Sequence, residues 1–568
     1  MVTTTHLTSF QTIQLPTDGH DANIRSPKAT QLRMPFVTLH HIQEQWSSLI
    51  GCLSSFRDGL LGRNRTEFGS SGSQLSSSEQ RNKNGHTIST DIYIAGGGVD
   101  EDQPNHYPPT EQQIEATIAQ YIDSISTDAV CQLASEHNGG KPCKIVGKDN
   151  GSFNVCFFIS VEAEGETQVV RIPIEPVVRS GWQKVLCEVA TLRYVKDKTK
   201  IPIPQVLAYG IHDEIVKGAK TPFMIMNVIP GQQLHTKTFL QATKAQQQRL
   251  FHDLIDILSQ LRTLEFTAGG SLMPNPDNDR SPILGPLLSM TANEFERSSG
   301  RPLPPELFTS VKRFVDHLCS ILTATYQLPV ENLSYRDATT ELYALDGVSK
   351  QISECIDPTP PPSPSFVLAH PDLRFGNIFV DDEFHILGVI DWEFTTTIPL
   401  QLFTPPPWVT DHDPDTLRIM RGLVRGPLRG EIVAGFRDVL QKKRETSSDC
   451  QKLWHEWGFH QELAGQGEAS IQKIAPIAQI LRHPGSLMSV YYSSIFRTLF
   501  GTSADRDAEI QKFFDHPDNK NLKEQVELQI EKSKRYTQYL ESRGLLVADT
   551  QSQQIREYLA NTEHLLHG

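Results

Sequence analysis

The sequence predicts an α+β fold in two lobes, a small one built on a mainly antiparallel sheet and a larger one built from helices, behind an N-terminal extension. Three observations predict it. Strand-like runs joined by short turns dominate residues 143–229. Apolar residues recur at helical spacing through most of the chain after Gly231. Residues 63–85 are rich in Ser, Asn, Gly, Gln and Arg, the composition of a polar linker. A chain of 568 residues has room for about two to four domains. The boundaries fall at 1–108, a largely disordered extension, 109–229, the small lobe, and 230–568, the helical lobe.

The extension holds one periodic stretch, Met34 to Leu61, with Phe36, Leu39, Ile42, Trp46, Leu49 and Ile50 at helical spacing. The small lobe opens with Thr110 as a polar cap and Glu111 in the first turn, above an apolar face of Ile114, Ile118, Tyr121 and Ile122. Strands are expected at 143–147, 153–161 and 168–174, with Asp149-Asn-Gly151 and Glu164-Gly165 in the turns. A helix follows at 181–197, then strands at 205–209 and 223–229. In the large lobe, Leu250, Leu254, Ile255, Leu258 and Leu261 mark a helix over 245–266. Residues 269–285 read as a long loop, 305–326 and 330–345 as helices, and 357–364 as a Pro-rich linker. A strand, loop and strand come next, and the remainder is helical.

Bulk properties exclude several classes. The net charge of −14 disfavours a nucleic-acid partner, which calls for a basic face. No apolar run reaches the length of a membrane-spanning helix, and the N-terminus lacks the pattern of a secretory signal. Eight cysteines without paired spacing fit reduced thiols. The expectation is a cytoplasmic protein. A mitochondrial presequence stays open, because Arg25, Lys28 and Arg33 outnumber the acids around them.

The chemistry concentrates in His370-Pro-Asp-Leu-Arg-Phe-Gly-Asn377 and, one strand later, Ile390-Asp-Trp-Glu393. Asp372 can accept a proton from an attacking hydroxyl. Asn377 offers an amide oxygen and Asp391 a carboxylate, the oxygen ligands that Mg²⁺ prefers. That order and spacing suits phosphoryl transfer from Mg-ATP. His370 is expected to bond the backbone near Asp391 and fix the loop. An acidic turn in an ordinary hairpin explains a lone Asp and Asn, but not the whole set.

His-x-Asp-Leu-x-x-x-x-Asn followed by Ile-Asp-Trp-Glu resembles the aminoglycoside phosphotransferase and choline kinase group, and most of all its fungal phosphotransferase branch. The resemblance extends more weakly from about residue 111 to the end. It implies a protein-kinase-like fold, ATP and Mg²⁺ as cofactors, and a small molecule with a hydroxyl as phosphoryl acceptor. Pro371, Trp392 and Glu393 stand where protein kinases carry Arg, Phe and Gly, which moves the expectation toward small molecules.

The resemblance also assigns parts in the small lobe. Gly151 and Ser152 lie where backbone N–H groups can approach phosphates, although Asn-Gly is also a common hairpin turn. Asn154 resembles the Asn after this loop in choline-kinase-like proteins. The third strand should carry a lysine for the α- and β-phosphates and carries Arg171 instead, with Glu188 as its helix partner. Backbone groups of Asn227 and Ile229 are expected at the adenine edge.

On the acceptor side, Glu393, Trp408, Asp411 and Asp413 are candidate lining residues that would suit an amine. Arg374 points instead to an anionic or polar acceptor. Two readings remain: an ATP- and Mg²⁺-dependent small-molecule O-kinase, and a kinase-like scaffold without turnover, which Arg171 and the extension mildly favour. The acceptor's identity and the oligomeric state are left open by the residues.

Overall fold

The computed structural model describes residues 107–546, apart from 162–166, 279–280, 357–364, 411, 413–426 and 464–469. The amphipathic stretch at 34–61, the polar linker at 63–85 and the Pro-rich linker at 357–364 lie outside the described residues. Within them the architecture is α+β and bilobal.

The small lobe is a five-stranded antiparallel sheet in the order β1-β2-β3-β5-β4. Its strands are β1 (Cys143–Asn150), β2 (Asn154–Val161), β3 (Thr167–Pro173), β4 (Val206–His212) and β5 (Thr221–Asn227). Side chains alternate between the two faces. Val155, Phe157, Ile159, Val170, Ile172, Phe223 and Ile225 face one buried cluster with Val130 and Leu133. Phe158, Val169, Met224 and Met226 face a second cluster, which continues into the large lobe. Two helices cover the first face: α1 (Glu111–Asp123), capped by Thr110 and Gln113, and α2 (Thr127–His137), capped by Ser126. The sequence reading missed α2, although Ser126 and the apolar Val130, Leu133 and Ala134 mark it. The other face meets α3 (Gly181–Lys198).

The chain leaves β5 through Pro230 and Gly231. Gly231 has φ +92, and a Cβ there would come within 2.6 Å of the Val380 carbonyl, so only glycine fits the turn. β6 (Gln232–Gln233) then joins β11 (Ile378–Val380) and β12 (Ile386–Val389) in a three-stranded sheet. A further five-stranded sheet, in the order β7-β10-β13-β8-β9, is formed by β7 (Glu265–Phe266), β8 (Ser271–Met273), β9 (Ile283–Gly285), β10 (Phe366–Ala369) and β13 (Thr396–Pro399). The expected long loop at 269–285 therefore contains β8 and β9. These strands are too short to show period-2 patterning among the Gly, Pro and Asn around them.

Long helices complete the large lobe: α4 (Lys244–Arg262), α5 (Val311–Gln327), α6 (Tyr335–Cys355), α7 (Ser470–Arg482) and α8 (Lys520–Arg543). Ser310 and Ser334 set the starts of α5 and α6 by accepting hydrogen bonds from the Arg313 and Asp337 N–H groups. This shifts both helices toward the C-terminus of the expected spans. Among the described residues, no helix is long and apolar enough to cross a membrane.

Candidate active site

The loop His370–Asn377 runs between β10 and β11, both fully buried, and this anchors it at each end. His370 Nδ1 accepts the Asp372 N–H at 3.1 Å, and His370 Nε2 lies 3.0 Å from the Ile390 carbonyl. An acceptor at one nitrogen and a donor at the other define a neutral ring protonated on Nε2. Burial lowers the His370 pKa to about 4, which agrees with that tautomer. The ring also sits edge-on to buried Trp392. His370 thus ties the loop to the end of β12. That is a positioning role, through the backbone just before Asp391.

Asn377 Nδ2 donates to the Asp372 carbonyl at 2.8 Å and to Asp372 Oδ2 at 3.2 Å. Its nitrogen is thereby engaged, and the amide oxygen is the atom suited to a hard cation. Arg374 Nε forms an ion pair with Asp372 Oδ2 at 2.9 Å. Asp391 follows β12 with φ +69, a conformation that non-glycine residues rarely hold. The unusual backbone accompanies a carboxylate that lines the cleft between the lobes, together with Asp372 and Asn377.

The phosphate side is a charge network. Arg171, in the middle of the small sheet, pairs with Glu188 at 2.5 Å, with Asp391 at 2.8 Å and with Glu393 at 3.5 Å. Burial opposes the guanidinium charge, but the carboxylates of Glu188, Asp391 and Glu393 hold its pKa above the arginine range. Lys184, one turn before Glu188 on the same face of α3, is buried, pairs with Glu393 and donates to Asn154 Oδ1 at 2.8 Å. Asn154 Nδ2 in turn donates to Glu393 Oε2 at 2.7 Å. Burial and the nearby Asp391 push the Glu393 carboxyl above the ordinary range. Two cations, Arg171 and Lys184, face three carboxylates, Glu188, Asp391 and Glu393. By formal count the set, which includes Asp391, carries one excess negative charge.

Several expected residues have different surroundings from those their positions implied. The Asn154 amide bonds Lys184 and Glu393, so this side chain orders the network, and it also lines the cleft. The Gly151 N–H closes the hairpin by donating to the Asn154 carbonyl at 2.9 Å. Gly151 and Ser152 still line the cleft. Asn227 and Ile229 line its opposite wall. The Asn227 N–H is already bonded to the Gln205 carbonyl at 3.2 Å. Ile229 lies on Gly388, where a Cβ would approach it to 2.5 Å, and this close contact sets the hinge against β12.

The acceptor-side expectation needs correction. Glu393 is buried in the network, where Arg171, Lys184 and Asn154 all contact its Oε2, at the edge of the inter-lobe cleft. Trp408 is also buried. Its indole N–H donates to the Leu373 carbonyl at 3.0 Å and its ring lies 4.3 Å from that of Phe375, so it braces the loop from behind. Asp411 and Asp413 lie outside the described residues. Sequence reasoning missed Lys184, Arg482 and His483. Lys184 was detectable as a lysine four residues before Glu188. The other two lie over 100 positions from the loop, and no local pattern marks them.

The fold is two-lobed, and its cleft gathers a loop carboxylate, an amide and a second carboxylate. Residues 161–401 match the model of the phosphotransferase enzyme family. Curated relatives are distant. A clavilactone A biosynthesis cluster protein Y of Ampulloclitocybe clavipes is 26% identical over 40% of this chain and 53% of its own length. A subtelomeric hrmA-associated cluster protein of Aspergillus fumigatus is 24% identical over 47% of this chain and 61% of its own. The chain thus spans a little over half the length of these relatives. Among solved structures, a thermostable mutant of an aminoglycoside phosphotransferase, in ternary complex with AMP-PNP and hygromycin B, is 14% identical with a TM-score of 0.35, covering 68% of this chain and 96% of its own. A Plasmodium vivax ethanolamine kinase is 11% identical with a TM-score of 0.32, covering 67% and 84%.

Proposed function

We propose that the protein transfers the γ-phosphoryl group of ATP to a hydroxyl of a small molecule. The observation that carries this reading is the convergence of Asp372, Asn377 and Asp391 on one cleft, whose far wall is the hinge at Met226–Ile229. Asp372 is the proposed base. It orients the acceptor hydroxyl and takes its proton as the new O–P bond forms and the bond to the departing ADP oxygen breaks. Asn377 and Asp391 would hold Mg²⁺, which when bound screens the charge of the phosphates. Arg171, fixed by Glu188, stands where a cation is needed beside those phosphates. His370 and Trp408 keep the loop in place, so little reorganisation remains at the moment of transfer. Ser152 and the Asn227–Ile229 backbone are the proposed contacts at the two ends of the nucleotide.

The reading is tested by titrating AMP-PNP with and without Mg²⁺ against the wild type and Asp391→Ala. Binding that strengthens with Mg²⁺ in the wild type only is expected. Binding indifferent to Mg²⁺ in both proteins favours the non-catalytic scaffold and overturns the reading.

A further inference from the structure

The nucleotide-side cleft and a second cavity meet at Pro371, Asp372 and Arg374, which line both. The second cavity adjoins the Asp372 loop and is partly open to solvent. It extends from Asp372 between α4, the Phe403–Pro407 segment and the end of α7 at Arg482 and His483. Among the described residues that line it, Asp372 is negative and Arg374 and Arg482 are positive. Arg374 pairs with Asp372. The Arg482 backbone is pinned, because its carbonyl accepts the Thr291 hydroxyl at 2.6 Å. Its guanidinium has no hydrogen bond or ion pair among the described residues. Burial lowers the Arg482 pKa, and Asp372 offsets only part of that effect. His483 adds no charge near neutrality, since burial and the two arginines push its pKa to about 3. A half-buried guanidinium that shares Asp372 with Arg374 has room for a further anion, and Glu393 does not supply it because the network beside α3 holds it.

We propose that the phosphoryl acceptor carries an anionic group, carboxylate or phosphate, and that Arg482 with Arg374 binds that group in this cavity while the hydroxyl faces Asp372. Guanidinium groups suit both anions through their planar fork. The anion also competes with Asp372 Oδ2 for Arg374 and loosens that pair, so acceptor binding readies the base. The inference rests on the phosphotransfer reading for the direction of the hydroxyl, but the anion site can be tested without turnover.

The test is equilibrium binding to the full chain with AMP-PNP and Mg²⁺ present, using D-glycerate, glycerol 3-phosphate, glycerol and ethanolamine as probes. At least one of the two anions is expected to bind about ten-fold or more tightly than the neutral and cationic probes, and which one separates carboxylate from phosphate. Arg482→Gln should erase the preference and Arg482→Lys should keep part of it, with circular dichroism confirming the fold. If Arg482→Gln does not fold, Arg374→Gln carries the same expectation. No anion preference, or a preference unchanged in folded Arg482→Gln, overturns the proposal. Asp372-dependent phosphorylation of ethanolamine with no anion bound would remove this inference and leave phosphotransfer standing. Anion binding that Arg482→Gln abolishes, without turnover of any acceptor, would support the site and count against phosphotransfer.

Discussion

The two sides of the cleft handle charge in opposite ways. On the phosphate side, Arg171, Lys184, Glu188 and Glu393 are buried and cross-paired, with Asn154 filling the remaining hydrogen bonds. On the acceptor side, Arg374 and Asp372 form one pair beside Arg482, whose guanidinium has no partner among the described residues. A closed network of this kind is bound up with folding, because each member compensates another's desolvation. The acceptor-side set has fewer such cross-pairs among the described residues. The comparison predicts that substitutions on the first side damage stability, whereas those on the second damage binding and turnover.

The largest expected effect on stability is that of Glu393→Ala. It leaves Lys184 and Asn154 without their shared partner and should cost about 3–5 kcal/mol, read from denaturant unfolding at neutral pH. A loss below about 1 kcal/mol would mean that the network contributes little to the fold. An intermediate effect should appear with pH. The folded-state pKa of His370, about 4, lies below the ordinary histidine value, so the unfolded chain binds the extra proton first. Stability from this residue is complete above about pH 6.5 and is lost as pH falls toward 4, by about 3 kcal/mol in all. Unfolding free energies of the wild type should fall across that window, and His370→Asn should show a flatter slope. The smallest effect is expected for Trp408→Phe, which keeps the ring but removes the bond to the Leu373 carbonyl. It should cost about 1 kcal/mol and lower turnover slightly through the loop.

The same contrast explains what the sequence could reveal. Asp372, Asn377 and Asp391 lie within twenty residues, and the strand-loop-strand pattern around them is local. Arg171 and Glu188 were paired in advance because one sits on a strand and the other on the next helix. Fold class followed from periodicity and short turns. Lys184 looked like a surface lysine, since only the packed lobe reveals that α3 turns this face inward. Glu393 looked like a pocket acid because sequence gives its neighbours along the chain but not the side of the strand end that it faces. Arg482 meets Asp372 only through the fold of the intervening helices. Strands β8 and β9 were hidden for a related reason: with three residues each, they owe their conformation to β13 and to each other.

The most direct test of the central claim is transfer of label from [γ-³²P]ATP to a metabolite pool, comparing the wild type with Asp372→Asn. The proposed mechanism predicts an Mg²⁺-dependent labelled small molecule with the wild type, and a rate lower by about 10²–10⁴-fold in the variant at unchanged Tm. Equal labelling by both proteins would contradict the role given to Asp372, and the absence of any wild-type product across pools would contradict phosphotransfer itself.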